Sequence, residues 1–180
     1  MPNVFLSEDY LVRLISQAVA ALYIIAQMKA AQQYKQAETQ VDEALEGQLG
    51  LRASLVKELD DERLKEMLTT NGTLEMERFL LVVDLFCESS ELARIRGDQG
   101  AFRRDGLRAL RFYQEAALNG GGEVDEALPG KIEALQSALS VGDQAANEDK
   151  STGTNSPNEQ GASPAKGSMT SSRGIKRRAP

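Results

Sequence analysis

The chain contains no histidine, no tryptophan and a single cysteine, Cys87. Those gaps close off whole classes of chemistry. Without histidine there is no Ser-His-Asp or Cys-His nucleophile, no histidine-ligated zinc and no Glu-x-x-His di-iron centre. One cysteine permits neither an intramolecular disulfide nor a CxxC redox pair, and its place in the apolar run LLVVDLFCESS predicts a small buried core residue. No cofactor is expected, and no enzyme. Strand signals are missing too: period-two alternation is absent, β-branched residues are sparse, and the turns that join hairpin strands are not seen. The N-terminus lacks the basic leader and cleavage site of a signal peptide. Its longest apolar run, Ala18 to Ala26, is nine residues, where a bilayer span takes about 20. A cytoplasmic protein with no membrane span is the expectation.

Residues 141–180 hold no aromatic residue and no leucine, only Ser, Gly, Asn, Pro, Gln, charge and a few small apolar residues. Such a composition buries too little apolar surface to offset the entropy of ordering it, which predicts a disordered polar tail behind a folded domain of residues 1–140. Charge divides at the same place. Six of the 21 basic and four of the 27 acidic residues lie in 141–180, which leaves 15 and 23 in residues 1–140, a domain charge of about −8. A net-acidic domain repels phosphate, so nucleic acid is disfavoured as a partner. Lys176, Arg177 and Arg178, near the end of the tail, offer only weak, salt-sensitive attraction to an anionic surface and read as solubilising charge.

What is present is helical periodicity. Ser7 is placed to cap a first helix, with Glu8 and Asp9 suited to its first turn and Leu6 placed to staple onto Leu11. Leu11, Leu14, Ile15, Ala18, Leu22 and Ile25 follow at helical spacing. Val19, Ala21, Tyr23 and Ile24 widen the stripe almost all round, which predicts cover on more than one side, from other helices or from a second copy of the chain. A turn near residues 28–33, or a bend within one continuous helix, leads to a second helical segment using Tyr34, Ala37, Val41, Ala44 and Leu45. A short helical turn around Leu51 and Leu55 precedes a helix capped by Asp60 or Asp61 and stopped by Asn71-Gly72. Thr73 is placed to cap the next helix, whose Phe79, Leu80, Val82, Val83 and Phe86 make it the most buried after the first. Its partner runs from about Ala101 to Leu118. Pro129 then opens a last helix bearing Ile132, Leu135 and Leu139. The fold class is all-α, with about five to six helices.

Ala37, Val41, Ala44 and Leu45 repeat the spacing of Ala109, Tyr113, Ala116 and Ala117. This resembles the second helix of a tetratricopeptide hairpin, in which small residues let helices approach closely. The segments EDYLVRLISQ, QLGLRASLVKELDDERLKEML and ELARIRGD, across roughly residues 6–140, resemble an uncharacterised bacterial family, mainly Gram-positive, described as a domain of unknown function with tetratricopeptide-like hairpins. The resemblance implies a fold and carries no activity or site.

The most unusual stretch is ELARIRGDQGAFRRDGLRALRFYQEAAL. Its Arg-Gly-Asp triplet resembles an adhesion tripeptide, yet Gly97 and Asp98 are also what a helix-to-helix turn requires: a left-handed glycine and a capping aspartate. Residues 94–111 carry six arginines against Asp98 and Asp105, a local charge of about +4. Arg104, Arg108 and Arg111 share one helix face and could hold a carboxylate or phosphate; the competing reading is that they meet acids of neighbouring helices, such as Glu115, Asp42, Glu43 or Glu46. The runs Asp60-Asp61-Glu62 and Asp42-Glu43-Glu46 read as caps and solvated faces, with no metal expected. Gly120-Gly121-Gly122 lacks the rest of a phosphate loop and reads as a flexible connection. Taken together, the sequence points to a helical module that binds a protein or peptide partner in a groove between hairpins, through Arg104, Arg108, Arg111, Phe112 and Tyr113. The alternatives are a homo-oligomer built on Val19, Tyr23 and Ile24, or weak anion or nucleotide binding by the arginine face of residues 103–111.

Overall fold

The computed structural model of the chain describes residues 8–151, with the side chains of residues 9–141. The expected cap at Ser7, the Leu6 staple and the basic residues 176–178 lie outside the described residues. Helix α1 (Glu8–Ala30) and α2 (Tyr34–Leu49) form the first hairpin, turning at Gln32, whose φ of 59° is left-handed. Two short helices follow, α3 (Ala53–Glu58) and α4 (Asp61–Met67). Asp60 is the cap of α4: its carboxylate accepts the Arg63 N–H at 2.8 Å, leaving Asp61 free for another use. Helices α5 (Met76–Arg96) and α6 (Gln99–Leu118) make the second hairpin, then come the single turn α7 (Gly121–Val124) and the last helix α8 (Leu128–Ser151). All-α is the right class, with eight helices among the described residues, three of them one or two turns long.

Several expectations need correction. Thr69–Thr70 (β1) and Thr73–Leu74 (β2) pair antiparallel. Asn71 and Gly72, both at positive φ, form their turn, so Asn-Gly does here what it does in two-residue hairpins. Thr73 is consequently in a strand, and the residue before α5 is Glu75, which makes no side-chain cap bond. Gly120-Gly121-Gly122 is less loose than expected, because Gly121 is buried so tightly that a Cβ there would lie 2.7 Å from the Ala116 carbonyl oxygen. Helix α8 does not stop at residue 140: after Gly142, the segment up to Ser151 contains no helix breaker, and the helix runs on.

The order of burial is reversed as well. The centre of the molecule is α5, which packs on α1, α2, α6 and α7 and buries Phe79, Val82, Val83, Leu85 and Phe86 completely. Each buried ring or leucine contributes on the order of 2–3 kcal/mol, so Phe86→Ala would remove several kcal/mol at one stroke. Helix α1 is covered on one side only.

The α5–α6 hairpin turns where RIRGDQG predicts it. Gly97 sits at φ 83° as the C-cap of α5, and Asp98 caps α6 by accepting the Ala101 N–H at 2.9 Å. That hydrogen bond, together with Arg96, holds the Asp98 carboxyl below its usual range. The two helices close on a polar seam: the Ser90 hydroxyl donates to the Phe102 carbonyl at 2.8 Å, and Ser89 donates to the buried Asp105 at 2.9 Å. Gly106 completes the approach. A Cβ at that position would stand 2.8 Å from Ser90 Oγ and 3.0 Å from Leu139 Cδ2, so glycine is what lets α5 and α8 both rest on α6.

Candidate functional site

The arginine face of α6 is largely consumed within the fold. Arg108 is buried. Its Nε donates to Asp61 at 3.1 Å, Nη1 to the Lys57 carbonyl at 3.2 Å and Nη2 to the Leu59 carbonyl. Its guanidinium carbon also lies 5.3 Å from the centre of the Phe86 ring. Arg111 grips the other oxygen of the same carboxylate, at 3.1 and 2.7 Å. Arg104 donates to Asp105 at 2.8 Å, and that contact raises its own pKa. Neighbouring acids do meet the arginines, but the partner of two of them is Asp61, and Glu115 instead pairs with Lys65 at 3.1 Å. Asp42 takes Lys57 at 2.7 Å and Glu46 accepts the Ala53 N–H at 3.0 Å, so the acidic runs serve as caps and ion pairs. No group of three or more carboxylates or thiols suited to a metal occurs among the described residues.

The aromatic pair named from the sequence also lies differently. Phe112 is 1% exposed and packs its ring 5.3 Å from that of Phe79. It is a core residue with no surface for a partner. Tyr113 is buried as well, but it backs a groove.

That groove has a volume of about 880 Å³. Its floor is one face of α5, running through Asp84, Cys87, Glu88 and Glu91 to Arg94, at steps of three and four residues. One wall is α8, through Lys131, Ala134, Leu135, Ala138 and Val141; Leu22 of α1 edges the opposite side, and Phe102 and Tyr113 of α6 lie behind. The groove exists because α8 packs chiefly on α6 and hardly on α5. Near its start α8 reaches across to α5, where Lys131 meets Asp84 at 2.8 Å; Lys131 also meets Asp125, in the connection from α7, at 2.7 Å.

Most of the charges around the groove satisfy one another; the exposed Arg94 is the exception. Asp84 accepts from both Lys131 and the Tyr113 hydroxyl, and the Lys131 ammonium stands 5.9 Å from the centre of the Tyr113 ring. Burial works against the Lys131 charge, but its hydrogen bonds to Asp125 and Asp84 outweigh that and raise its pKa. Lys29 is in the same position between Glu88, at 2.6 Å, and Glu91. Burial, reinforced by the charge of Asp84, pushes the Tyr113 phenol far up. Burial likewise, with Glu88, Asp84 and Glu91 adding to it, lifts the Cys87 thiol from 9.0 to about 11. At neutral pH that thiol is protonated and a poor nucleophile. What the groove offers is apolar wall.

Sequence reasoning reached Tyr113 and missed the rest of this site. The available signal was in α8: Ala134, Ala138 and Val141 continue at four- and three-residue steps beside the core stripe of Leu135 and Leu139, a second apolar edge on a helix read as having one. Comparison with family models, with curated proteins and with solved structures returned no match.

Proposed function

We propose that the chain is a non-enzymatic interaction module that takes up a helical segment of a protein partner in the groove between α1, α5 and α8. The observation that carries this reading is the pairing of an 880 Å³ apolar groove with rim charges that are nearly all bonded within the chain. A groove of that kind gains little from capturing an ion and much from covering its walls, which favours the apolar face of an amphipathic helix. The two hairpins fit a tetratricopeptide-like stack in this reading, since Ala37 and Ala109 are fully buried at equivalent places on α2 and α6. Arg104, Arg108, Arg111 and Phe112 then support the fold, and Tyr113 backs the binding wall.

Ala138 is half-buried in the α8 wall, and Ala138→Trp would fill the groove. Capture of a partner from the native cell by the full chain is expected to be lost in this variant, while thermal unfolding stays within a few degrees of the parent. Partner capture that survives an Ala138→Trp substitution of unchanged fold would place binding elsewhere.

A further inference from the structure

Charge changes sign along the floor of the groove. Near the start of α8, Asp84 and Asp125 share the single ammonium of Lys131. Further along α5, Glu88 and Glu91 share that of Lys29. With two carboxylates to one ammonium, each cluster keeps a negative charge in excess. The last lining residue of α5 is of the opposite sign: Arg94 is exposed, and its guanidinium has neither an ion pair nor a hydrogen bond among the described residues. Glu91, three residues back, is held by Lys29 instead. Across the α5–α6 turn Gln99 lines the groove as well, with an amide that can donate. An arginine without a partner at the end of an apolar groove keeps its fork of donors for a guest.

We propose, on the reading that the groove takes up a partner helix, that Arg94 determines which helix is accepted. The guest is an amphipathic segment of about three turns with Asp or Glu where it passes Arg94, and no acid where it passes Glu91, Glu88 and Asp84. Asp84 and Arg94 are ten residues apart on α5, about 15 Å at 1.5 Å per residue, which sets the length of a guest that spans the floor. Over that length its apolar stripe covers Leu22, Leu135 and Ala138. A carboxylate at the Arg94 end gains a bidentate partner. The same carboxylate one or two turns back meets the excess negative charge of Glu91 and Glu88. Attraction at one place and repulsion along the rest fix the register of the guest, and specificity comes from both.

A long-chain carboxylate would present the same head group to Arg94. Its hydrocarbon tail would then lie along Glu91, Glu88 and Asp84 with no polar group to answer them, whereas a helix can set polar side chains there.

Selection of helix-forming peptides from a displayed random library on the full chain tests the proposal, with Ala138→Trp as the counter-screen for the groove. Peptides that bind the parent and not Ala138→Trp are expected to share an acid at one end of an apolar stripe. By fluorescence anisotropy at low salt, glutamine in place of that acid is expected to weaken binding to the parent about tenfold and to make no difference in Arg94→Gln. Arg94→Glu is expected to prefer the same peptide with lysine in place of the acid. Groove-dependent peptides that lack the acid, or whose preference for it is unchanged in Arg94→Gln and Arg94→Glu, overturn the role of Arg94 and leave the groove as a helix site. A selection that yields no peptide sensitive to Ala138→Trp overturns both readings, and laurate that then binds the parent and not Arg94→Gln identifies the occupant as a long-chain carboxylate.

Discussion

At the scale of single residues, Arg108 is the side chain on which most depends. It bonds one carboxylate and two backbone carbonyls of the α3–α4 connection and covers the Phe86 ring. Lysine offers a point charge where the site uses a planar fork. Arg108→Lys is therefore expected to lower unfolding free energy by about 2–3 kcal/mol, through carbonyls left without donors. Arg111→Ala, at an exposed position on the same Asp61, is expected to cost under about 1 kcal/mol. Urea denaturation of the two variants measures the difference, and equal costs would refute the distinction. None of this was legible in the sequence. The i, i+4, i+7 spacing placed the arginines on one face, but nothing in it singled out Asp61, 47 residues away from Arg108, over Glu115, which pairs with Lys65. The Arg-Gly-Asp turn was legible because its parts are local: a left-handed glycine and a cap that acts three residues downstream.

Cys87 gives a second residue-level prediction. A thiol lifted from 9.0 to about 11 holds about 100-fold less thiolate at pH 8 than an ordinary one. Alkylation by iodoacetamide is expected to be slower by about that factor in the folded chain than in urea. The sign for stability follows from the raised folded value: the contribution is complete below pH 9.0 and is lost as pH climbs towards 11. Tyr113, raised for the same reason, adds to the loss above the ordinary phenol range. Melting temperature is thus expected to fall between pH 9 and 11, less steeply in Cys87→Ala; parallel slopes would show that the thiol is not responsible.

At the scale of elements, the long helices could be read from the sequence because each has enough turns for its apolar residues to repeat. The β1–β2 hairpin could not, since two residues per strand leave no alternation to detect, and the Asn-Gly signal was taken as a helix stop. The extent of α8 failed for a different reason. Loss of leucine and aromatics beyond residue 140 marks where packing ends, which need not be where hydrogen-bonded helix ends. Gly106 is the element-level feature with the clearest consequence. It sits mid-helix, where glycine costs about 1 kcal/mol relative to alanine in propensity, yet Gly106→Ala is expected to destabilise the chain by about 1–3 kcal/mol by forcing Ser90 and Leu139 away from α6. A Gly106→Ala variant more stable than the parent would mean that the three-helix contact is looser than described.

At the scale of the whole molecule, the groove follows from how the elements are shared out. Helix α5 is surrounded, α6 supports both α5 and α8, and α8 is left beside α5 without packing on it along its length. A pattern of apolar positions shows which face of each helix is buried and not how two faces diverge, so the presence of a second alanine edge on α8 was readable and the cavity it borders was not. The exposed side of α1 is the reverse case. Its breadth of apolar residues was visible from the start, and the fold then left half of it uncovered.

The attachment of α8 has a kinetic corollary. One end of this wall is clasped to α5 through Lys131 and Asp84, and the wall otherwise packs chiefly on α6. The wall should therefore breathe on its own, opening and closing while the α5–α6 pair stays shut. Amide hydrogen exchange is expected to be faster along residues 131–141 than along α5, and Lys131→Met is expected to quicken it further in α8 alone. Uniform exchange across α5, α6 and α8 would show instead that the three helices open as one cooperative unit.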